Sequence, residues 1–408
     1  MSNDIINLTN LLMELIAIVI LSGLIFSKLS EILKLPDVIL FILAGILLGP
    51  YMLNIVNIDK FPVGNQLILT FGAAYILYDG GREIDFKILN KVKVSVLLLS
   101  TVGVFISTTI VGFFANKIFG LPTVYALLLG SVIASTDPSV LVPLFKTMNI
   151  SEKLKQTIIS ESAFNDAAGA ITTFALLGII QGGTFSIETT SFELLKTIIG
   201  GIVIGALVGY LTHVLADEKP YGILRDNSAE LVIVSVIGAY LISDKLGFSG
   251  YMSVFIVGMI CGNKKVFKFW IPDESFLSHT RFKEVLTMIL RMMIFILLGT
   301  HINFKILLAN WQPTLLIVCI LIFVARPLSV IICVIIDRKA HWNLRQIIYM
   351  MWVRETGVIP AALASMLMTA QIPHADVISS VTFTTIILTL TLQASTAKHL
   401  AKLLKINK

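Results

Sequence analysis

The sequence predicts an all-α integral membrane protein, and three observations support that prediction. The 408 residues are 56% hydrophobic and only 14% charged, with a mean hydropathy of +0.90, which is too apolar for an ordinary water-soluble domain. Uncharged, mostly apolar runs such as 94–115 have the length of about 17 to 25 residues that a transmembrane helix needs. These runs lack the period-two alternation of an outer-membrane barrel.

Apolar runs between polar or Gly/Pro breaks predict about thirteen helical spans. Their connections are short, so we expect one membrane domain over residues 1–408 without a soluble domain. The three cysteines lie within apolar runs and lack paired or metal-type spacing, which favours neither a disulfide framework nor a zinc site. We expect no cofactor. The predicted spans lie near residues 8–27, 38–53, 66–80, 94–115, 122–145, 156–181, 194–216, 229–245, 249–263, 284–300, 312–336, 346–369 and 375–396.

The distribution of Lys and Arg predicts the orientation, because cytoplasmic loops hold the excess of these residues. They concentrate in the connections after the odd-numbered spans and in the tail 398–408. We therefore expect a multi-pass protein of the cell (inner) membrane, with the amino terminus outside and the carboxyl terminus in the cytoplasm. Topology and anionic lipid account for the net charge of +6, so the charge does not point to nucleic acid.

Two predicted spans contain a helix break at similar depth. Span five contains Thr136-Asp137-Pro138, and span twelve contains Thr356-Gly357-Val358-Ile359-Pro360. Proline removes a hydrogen-bond donor and clashes with the preceding turn, so each helix is expected to unwind there. Spans five and twelve differ by seven, which predicts two inverted six-helix repeats joined by a linking helix, with the broken helices crossing. Ordinary proline kinks are the alternative.

Three acidic residues, Asp137, Glu161 and Asp166, lie within apolar spans. A charge at the centre of a membrane helix costs about 2.5 to 3.5 kcal/mol on insertion scales, so each is a candidate functional residue. On span six, Glu161 and Asn165 are four residues apart, as are Ser162 and Asp166, which puts all four on one helical face. The sequence therefore predicts an ion-binding site where this face meets a broken helix.

Carboxylate, hydroxyl and backbone carbonyl oxygens are suitable ligands for a small monovalent cation. Asp166, Asp137, Ser162 and the carbonyl of Thr136 could supply them. An aspartate in a semi-apolar cavity has its charged form disfavoured unless a cation binds, so protons and cations are expected to compete for it. This competition is sufficient for exchange across a membrane.

The same residues also have structural interpretations. Asp166 could instead pair with a buried arginine, and Asp137 could cap the broken half-helix or support the site. Glu161 is expected to pair with Arg326 or Arg354, because an unpaired arginine within a span is costly. We expect Asn165 to hydrogen-bond the broken backbone near Thr136.

The motifs of this chain resemble those of the monovalent cation:proton antiporters, specifically the prokaryotic sodium/proton exchangers of the NhaP type. The resemblance covers essentially all 408 residues. It rests on Thr136-Asp137-Pro138, Glu161-Ser162-Ala163-Phe164-Asn165-Asp166, Gly247-Phe248-Ser249-Gly250-Tyr251, Ala325-Arg326-Pro327-Leu328 and Gly357-Val358-Ile359-Pro360-Ala361-Ala362-Leu363. The first two motifs together are highly specific.

The resemblance implies a secondary transporter, not an enzyme, that exchanges Na+ or Li+ for H+. It implies that Asp166, Asp137, Ser162 and the Thr136 carbonyl bind the cation and that Asn165 supports span five. The asparagine before the aspartate implies electroneutral one-for-one exchange.

For the remaining residues, the resemblance implies that Glu161 pairs with an arginine, for which Arg326 matches best, and Arg354 is a further supporting candidate. It also implies a homodimer. A mobile core of helices near 94–181 and 312–396 would move against dimerisation or scaffold helices near 8–80 and 194–300.

One position departs from the family pattern. Many relatives carry an arginine directly before the glycine of span twelve, where this chain has Thr356, with Arg354 and Glu355 upstream. Two helical positions turn a side chain by about 200°, so Arg354 does not simply replace that arginine unless the backbone is unwound.

Other functions stay open at this stage. A potassium/proton antiporter would use the same oxygen ligands, since cation choice depends on cavity size. A cation-coupled symporter of organic anions on the same architecture is a less favoured alternative, which Arg326 and Arg354 keep open. The sequence lacks the motifs of an intramembrane protease, and a deep protonatable site in broken helices favours alternating access over an open channel.

Overall fold

The computed structural model describes residues 3–33, 35–56, 61–137, 145, 148, 150–182, 187–217, 222–263, 266 and 273–406. All regular secondary structure in these ranges is helical, with no strand, as the sequence predicts. The helices in chain order are α1 Asn3–Leu33, α2 Asp37–Leu48, α3 Pro62–Arg82, α4 Phe86–Ser100, α5 Val102–Phe119, α6 Thr123–Ala134, α7 Glu152–Ile180, α8 Ile187–Ala216, α9 Ser228–Lys245, α10 Gly250–Gly262, α11 Asp273–Thr300, α12 Phe304–Ala309, α13 Trp311–Ile336, α14 Leu344–Trp352, α15 Val358–Thr369 and α16 Ala375–Leu403.

Seven helical stretches within the described ranges are long and apolar enough to cross a membrane. Four shorter apolar helices, α2, α6, α10 and α15, accompany them. The chain is therefore a multi-pass integral membrane protein. The seven stretches are Thr9–Leu33, Phe86–Phe119, Glu152–Ile180, Leu195–Ala216, Arg225–Lys245, Trp311–Ile336 and Ala375–Leu403.

Small residues let several helices approach closely, as is common where lipid replaces water around a helix bundle. Helix α2 meets α11 at Gly45 and Gly299: a Cβ at Gly45 would lie 2.1 Å from the carbonyl oxygen of Ile296. Helix α3 meets α10 in the same way, because a Cβ at Gly258 would lie 2.0 Å from the carbonyl oxygen of Tyr78. Glycine is therefore required at these contacts by backbone proximity.

The two helix breaks that the sequence predicts are both present. Helix α6 ends at Ala134, and the chain continues through Ser135 in an extended conformation to Asp137. Pro138, the predicted cause of this break, and Pro143 lie outside the described residues. The second break separates α14, which ends at Trp352, from α15, which begins at Val358.

Pro360 lies in the first turn of α15, where a missing N–H leaves no helical hydrogen bond unmade. Proline at this position is compatible with the start of the second half-helix and does not interrupt it. The segment 353–357 between the half-helices is buried, and irregular backbone at membrane depth is tolerated where protein surrounds it.

Candidate ion-binding site

One buried face of α7 carries Glu161, Ser162, Asn165 and Asp166. The helix begins at Glu152, with Ser151 as its N-cap, and places these residues near its middle. Their face lies against the unwound segment after α6, since Ser162 and Asn165 both contact Thr136. The structure thus brings the predicted acidic helix and the predicted break together.

Thr136 is held by three hydrogen bonds from α7. The Asn165 side chain donates from Nδ2 to Thr136 Oγ1 at 2.8 Å and accepts at Oδ1 from the Thr136 backbone N–H at 3.0 Å. The Ser162 hydroxyl donates to the Thr136 carbonyl oxygen. These contacts satisfy backbone groups that the end of α6 leaves without helical partners, and such groups are costly to bury unpaired.

Asp166 lies one turn beyond Ser162 on the same face and is buried. Its Oδ1 atom has no hydrogen-bond partner among the described residues. A buried carboxylate oxygen without a donor carries a large desolvation cost unless a cation or a proton compensates it. The arrangement therefore suits a carboxylate that binds one or the other.

Asp137 connects the two broken helices. Its backbone N–H donates to the carbonyl oxygen of Glu355 at 2.8 Å. Its Oδ2 atom accepts from the backbone N–H of Val358 at 3.1 Å, so the carboxylate lies at the N-terminus of α15, where a negative charge is favourable. The capping that the sequence leaves open for Asp137 is present, and the capped half-helix belongs to the other break.

Glu161 forms a buried ion pair with Arg326, whose two terminal nitrogens donate one to each carboxylate oxygen. Arg326 Nε also donates to the carbonyl oxygen of Met350 at 3.0 Å. A π-helical turn, Leu321–Ala325, precedes Arg326, and the Arg326 N–H bonds back to Leu321. Pro327 has no N–H to continue the regular ladder, which accounts for the change in register at this position.

Arg354 has a different position from Arg326. It donates from one terminal nitrogen to the carbonyl oxygens of Ile133 at 3.0 Å and Ala134 at 2.6 Å. A guanidinium group at the C-terminus of α6 stabilises both the unpaired carbonyls and the helix dipole. The sequence leaves open which arginine meets Glu161, and the structure places Arg326 there.

Glu355 is a further acidic residue at the crossing and is buried, but none of the sequence motifs described above points to a role for it. The sequence does carry a signal for Glu355, because it lies in the predicted span 346–369 and is costly to insert for the same reason as Asp137. The adjacent Arg354 suggests a local pair from sequence alone, but in the structure that arginine binds α6.

A family model described as "Sodium/hydrogen exchanger, transmembrane" matches residues 16–403. The chain belongs to this exchanger family. The resemblance to the NhaP-type antiporters that its motifs indicate is confirmed by this match and by similar proteins of known name.

The exchanger resembles the "Probable Na(+)/H(+) antiporter 2" of Methanocaldococcus jannaschii, with 27% identity covering 95% of this chain and 96% of the relative. It also resembles the "K(+)/H(+) antiporter NhaP" of Alkalimonas amylolytica, with 26% identity covering 97% and 67% of the two chains. The solved structure of the sodium proton antiporter MjNhaP1 of M. jannaschii at pH 8 superposes with a TM-score of 0.83 at 28% identity, covering 97% of this exchanger and 99% of that chain.

Proposed function

We propose that the protein is a secondary active transporter that exchanges Na+ or Li+ for H+ across the membrane, one for one and without net charge movement. Family membership supports exchange of a cation for protons, and the sodium/proton antiporters among its relatives support Na+ as the cation. The 1:1 stoichiometry rests on the asparagine at position 165 before Asp166.

The observation that carries the proposal is the unpartnered Oδ1 of Asp166 beside a backbone segment that Asn165 and Ser162 hold in place. Asp166 is the carrier of either the cation or the proton. Asp137, the Ser162 hydroxyl and the Thr136 carbonyl complete the oxygen ligands when the cation is bound. Because one carboxylate serves both substrates, each face of the membrane meets either the cation-loaded or the proton-loaded form, and exchange needs no separate proton pathway.

We also propose an architecture for the membrane domain. The chain forms thirteen spans as two inverted six-helix repeats, with the crossed broken helices as corresponding elements. The hydrogen bond between Asp137 and Val358, 221 residues apart, supports this pairing of the two breaks. Helices near 94–181 and 312–396 form the mobile core, and those near 8–80 and 194–300 form the scaffold.

We further propose an oligomeric state and an orientation in the membrane. The scaffold forms the contact between two protomers of a homodimer in the inner membrane. The amino terminus lies outside and the Lys-rich tail 398–408 in the cytoplasm, as the distribution of Lys and Arg favours. Cation and proton are the substrates.

The experiment measures proton flux in proteoliposomes with an imposed pH gradient while Na+, Li+ or K+ is added in turn. We expect Na+ or Li+ to dissipate the gradient at a rate that clamping the membrane potential does not change. Asp166→Asn removes the charge at nearly constant volume and should abolish the flux. Asp337→Asn is the matched control, because Asp337 is also buried but accepts a hydrogen bond from Ser95 away from the crossing.

The same assay measures competition. If one proton displaces one cation from Asp166, the apparent KM for Na+ should rise about tenfold for each unit of pH decrease in the range where the proton dominates, while the maximum rate stays constant. Undiminished exchange in Asp166→Asn, or a KM independent of pH, would remove Asp166 as the shared carrier.

Exchange of K+ for H+ is the second candidate, and the similarity to a potassium/proton antiporter favours keeping it. The oxygen ligands at the crossing suit either ion. A response to K+ alone in the proteoliposome assay would establish this function in place of sodium/proton exchange.

A further inference from the structure

A small cavity lies at the crossing of the broken helices. Its volume is about 10 Å³, roughly the space for one water-sized particle. Asp166 is not among the described residues that line it, but Ser162, one helical turn before Asp166, is. The lining residues are Thr136, Asp137, Ile158, Glu161, Ser162, Arg326, Val353, Arg354 and Glu355.

The charges around this cavity do not balance. Three carboxylates and two guanidinium groups line it, which leaves one negative charge in excess when all are ionised. Glu161 is neutralised by Arg326, and Arg354 is directed to the C-terminal carbonyls of α6. Glu355 is therefore the lining carboxylate that carries this excess.

The side chain of Glu355 has no hydrogen-bond or ion-pair partner in the part of the chain that the structure describes. It is 1% exposed, and neither carboxylate oxygen has a hydrogen-bond partner there. Arg291 of α11 forms its ion pair with Asp37, at 2.9 Å. A buried carboxylate without a hydrogen-bond donor is highly unfavourable, and either a proton on Glu355 or a monovalent cation in the cavity compensates it.

We propose that Glu355 and Asp137 form a second position for a dehydrated monovalent cation, next to Asp166 on the transport route. This inference rests on the proposed exchange function and adds a ligand to it. The cation passes between Asp166 and the cavity past Ser162 and Thr136, which line the cavity. Glu355 supplies the negative charge that makes the cavity attractive to a cation, so it sets cation affinity and selectivity.

The test compares wild type, Glu355→Gln, Glu355→Asp and the control Asp337→Asn in proteoliposomes, with Na+, Li+ and K+ as separate probes. Glu355→Gln keeps the shape and removes the charge. We expect its KM for the transported cation to rise about tenfold or more, because a unit charge in a low-dielectric site acts strongly at contact distance. Its maximum rate should stay within about twofold of wild type, since the residue does not replace the carrier.

Glu355→Asp keeps the charge but shortens the side chain. We expect a smaller rise in KM than in Glu355→Gln, with a changed ratio between the KM values for Li+ and K+, because the shorter carboxylate changes the cavity size. A purely structural residue would lower the yield or the maximum rate and leave this ratio unchanged. Cation-dependent increases in Tm provide a readout without transport, and the increase should shrink in Glu355→Gln.

An unchanged KM in Glu355→Gln, or a loss of maximum rate alone, overturns this inference. If wild type still exchanges cations for protons in that case, the proposed function stands. If Glu355→Gln does not fold, an unchanged Li+ to K+ ratio in Glu355→Asp overturns the inference. Absence of cation-dependent proton flux in wild type overturns the proposed function itself and this inference with it.

Discussion

The carboxylate of Asp137 accepts a hydrogen bond from the backbone N–H of Val358 at 3.1 Å, across 221 residues of sequence. In return, Arg354 beside the second break donates to the carbonyls of Ile133 and Ala134 at the end of α6. Each broken helix thus supplies the charge that stabilises a half-helix end of the other.

Asp137→Ala removes the cap of α15 and should lower the free energy of unfolding by about 1 kcal/mol. Asp137→Asn keeps an oxygen acceptor for the Val358 N–H and should lower it less. Both variants lose the negative charge, so both should exchange cations poorly. Thermal unfolding in detergent measures the stability difference, and equal Tm values for the two variants would contradict the capping role.

Gly357→Ala should disrupt the crossing through steric overlap. A Cβ at Gly357 would lie 2.0 Å from Asp137 Oδ2 and 2.1 Å from Asp137 Cβ, so the carboxylate must leave its position at the N-terminus of α15. We expect exchange to fall by tenfold or more. Gly238→Ala in α9 is the matched control, because a Cβ there meets nothing within 4 Å and alanine is favoured over glycine within a helix by about 1 kcal/mol. Similar activity in the two variants would argue against the steric effect.

Removing one member of the Glu161–Arg326 pair should be strongly destabilising. The partner left behind is a buried, uncompensated charge, with an expected cost of about 3 to 5 kcal/mol. Glu161→Gln and Arg326→Met should each lower Tm markedly, and the double variant should lose less than the sum of the two. The exposed pair Lys28–Glu31 gives a contrast, since Glu31→Gln should change stability by less than about 1 kcal/mol. Additive effects of the two buried substitutions would show that the pair is not coupled.

Asn165→Ala should loosen the backbone at Thr136 more than Thr136→Val does. The first variant loses both hydrogen bonds between these residues, whereas the second loses only the bond to the hydroxyl group. Each bond contributes about 0.5 to 1.5 kcal/mol, so the KM for the cation should rise by about tenfold in Asn165→Ala and less in Thr136→Val. The reverse order, measured as cation-dependent proton flux, would assign the main role to the Thr136 hydroxyl.

The all-α membrane fold and the positions of both helix breaks could be predicted from the sequence, because long apolar runs and prolines within them are local signals. Asp137, Glu161 and Asp166 could be identified because charge is rare in such runs. The contact of Asn165 with the break also follows from local chemistry, since a broken helix leaves backbone groups that need partners.

The cross-connections between the breaks could not be predicted in the same way. Arg354 reaches α6 and Asp137 reaches α15 only because two segments separated by more than half of the chain cross in space. Sequence proximity suggests a pair between Arg354 and Glu355. In the fold, Arg354 instead donates to backbone carbonyls at the end of α6. The choice of Arg326 as partner of Glu161 depends on the π-helical turn before Pro327, whose exact register no local pattern fixes.

The reciprocal contacts at the crossing also have a consequence for biosynthesis. When the ribosome has inserted the chain only as far as α7, the C-terminal carbonyls of α6 lack Arg354 and the Asp137 carboxylate lacks the N-terminus of α15. The first half would then carry an unstabilised helix end and a charged side chain within lipid, which is unfavourable. The proposed ion site can therefore form only after the segment that includes Arg354 and Val358 has entered the membrane, so we expect its assembly to be a late event in insertion.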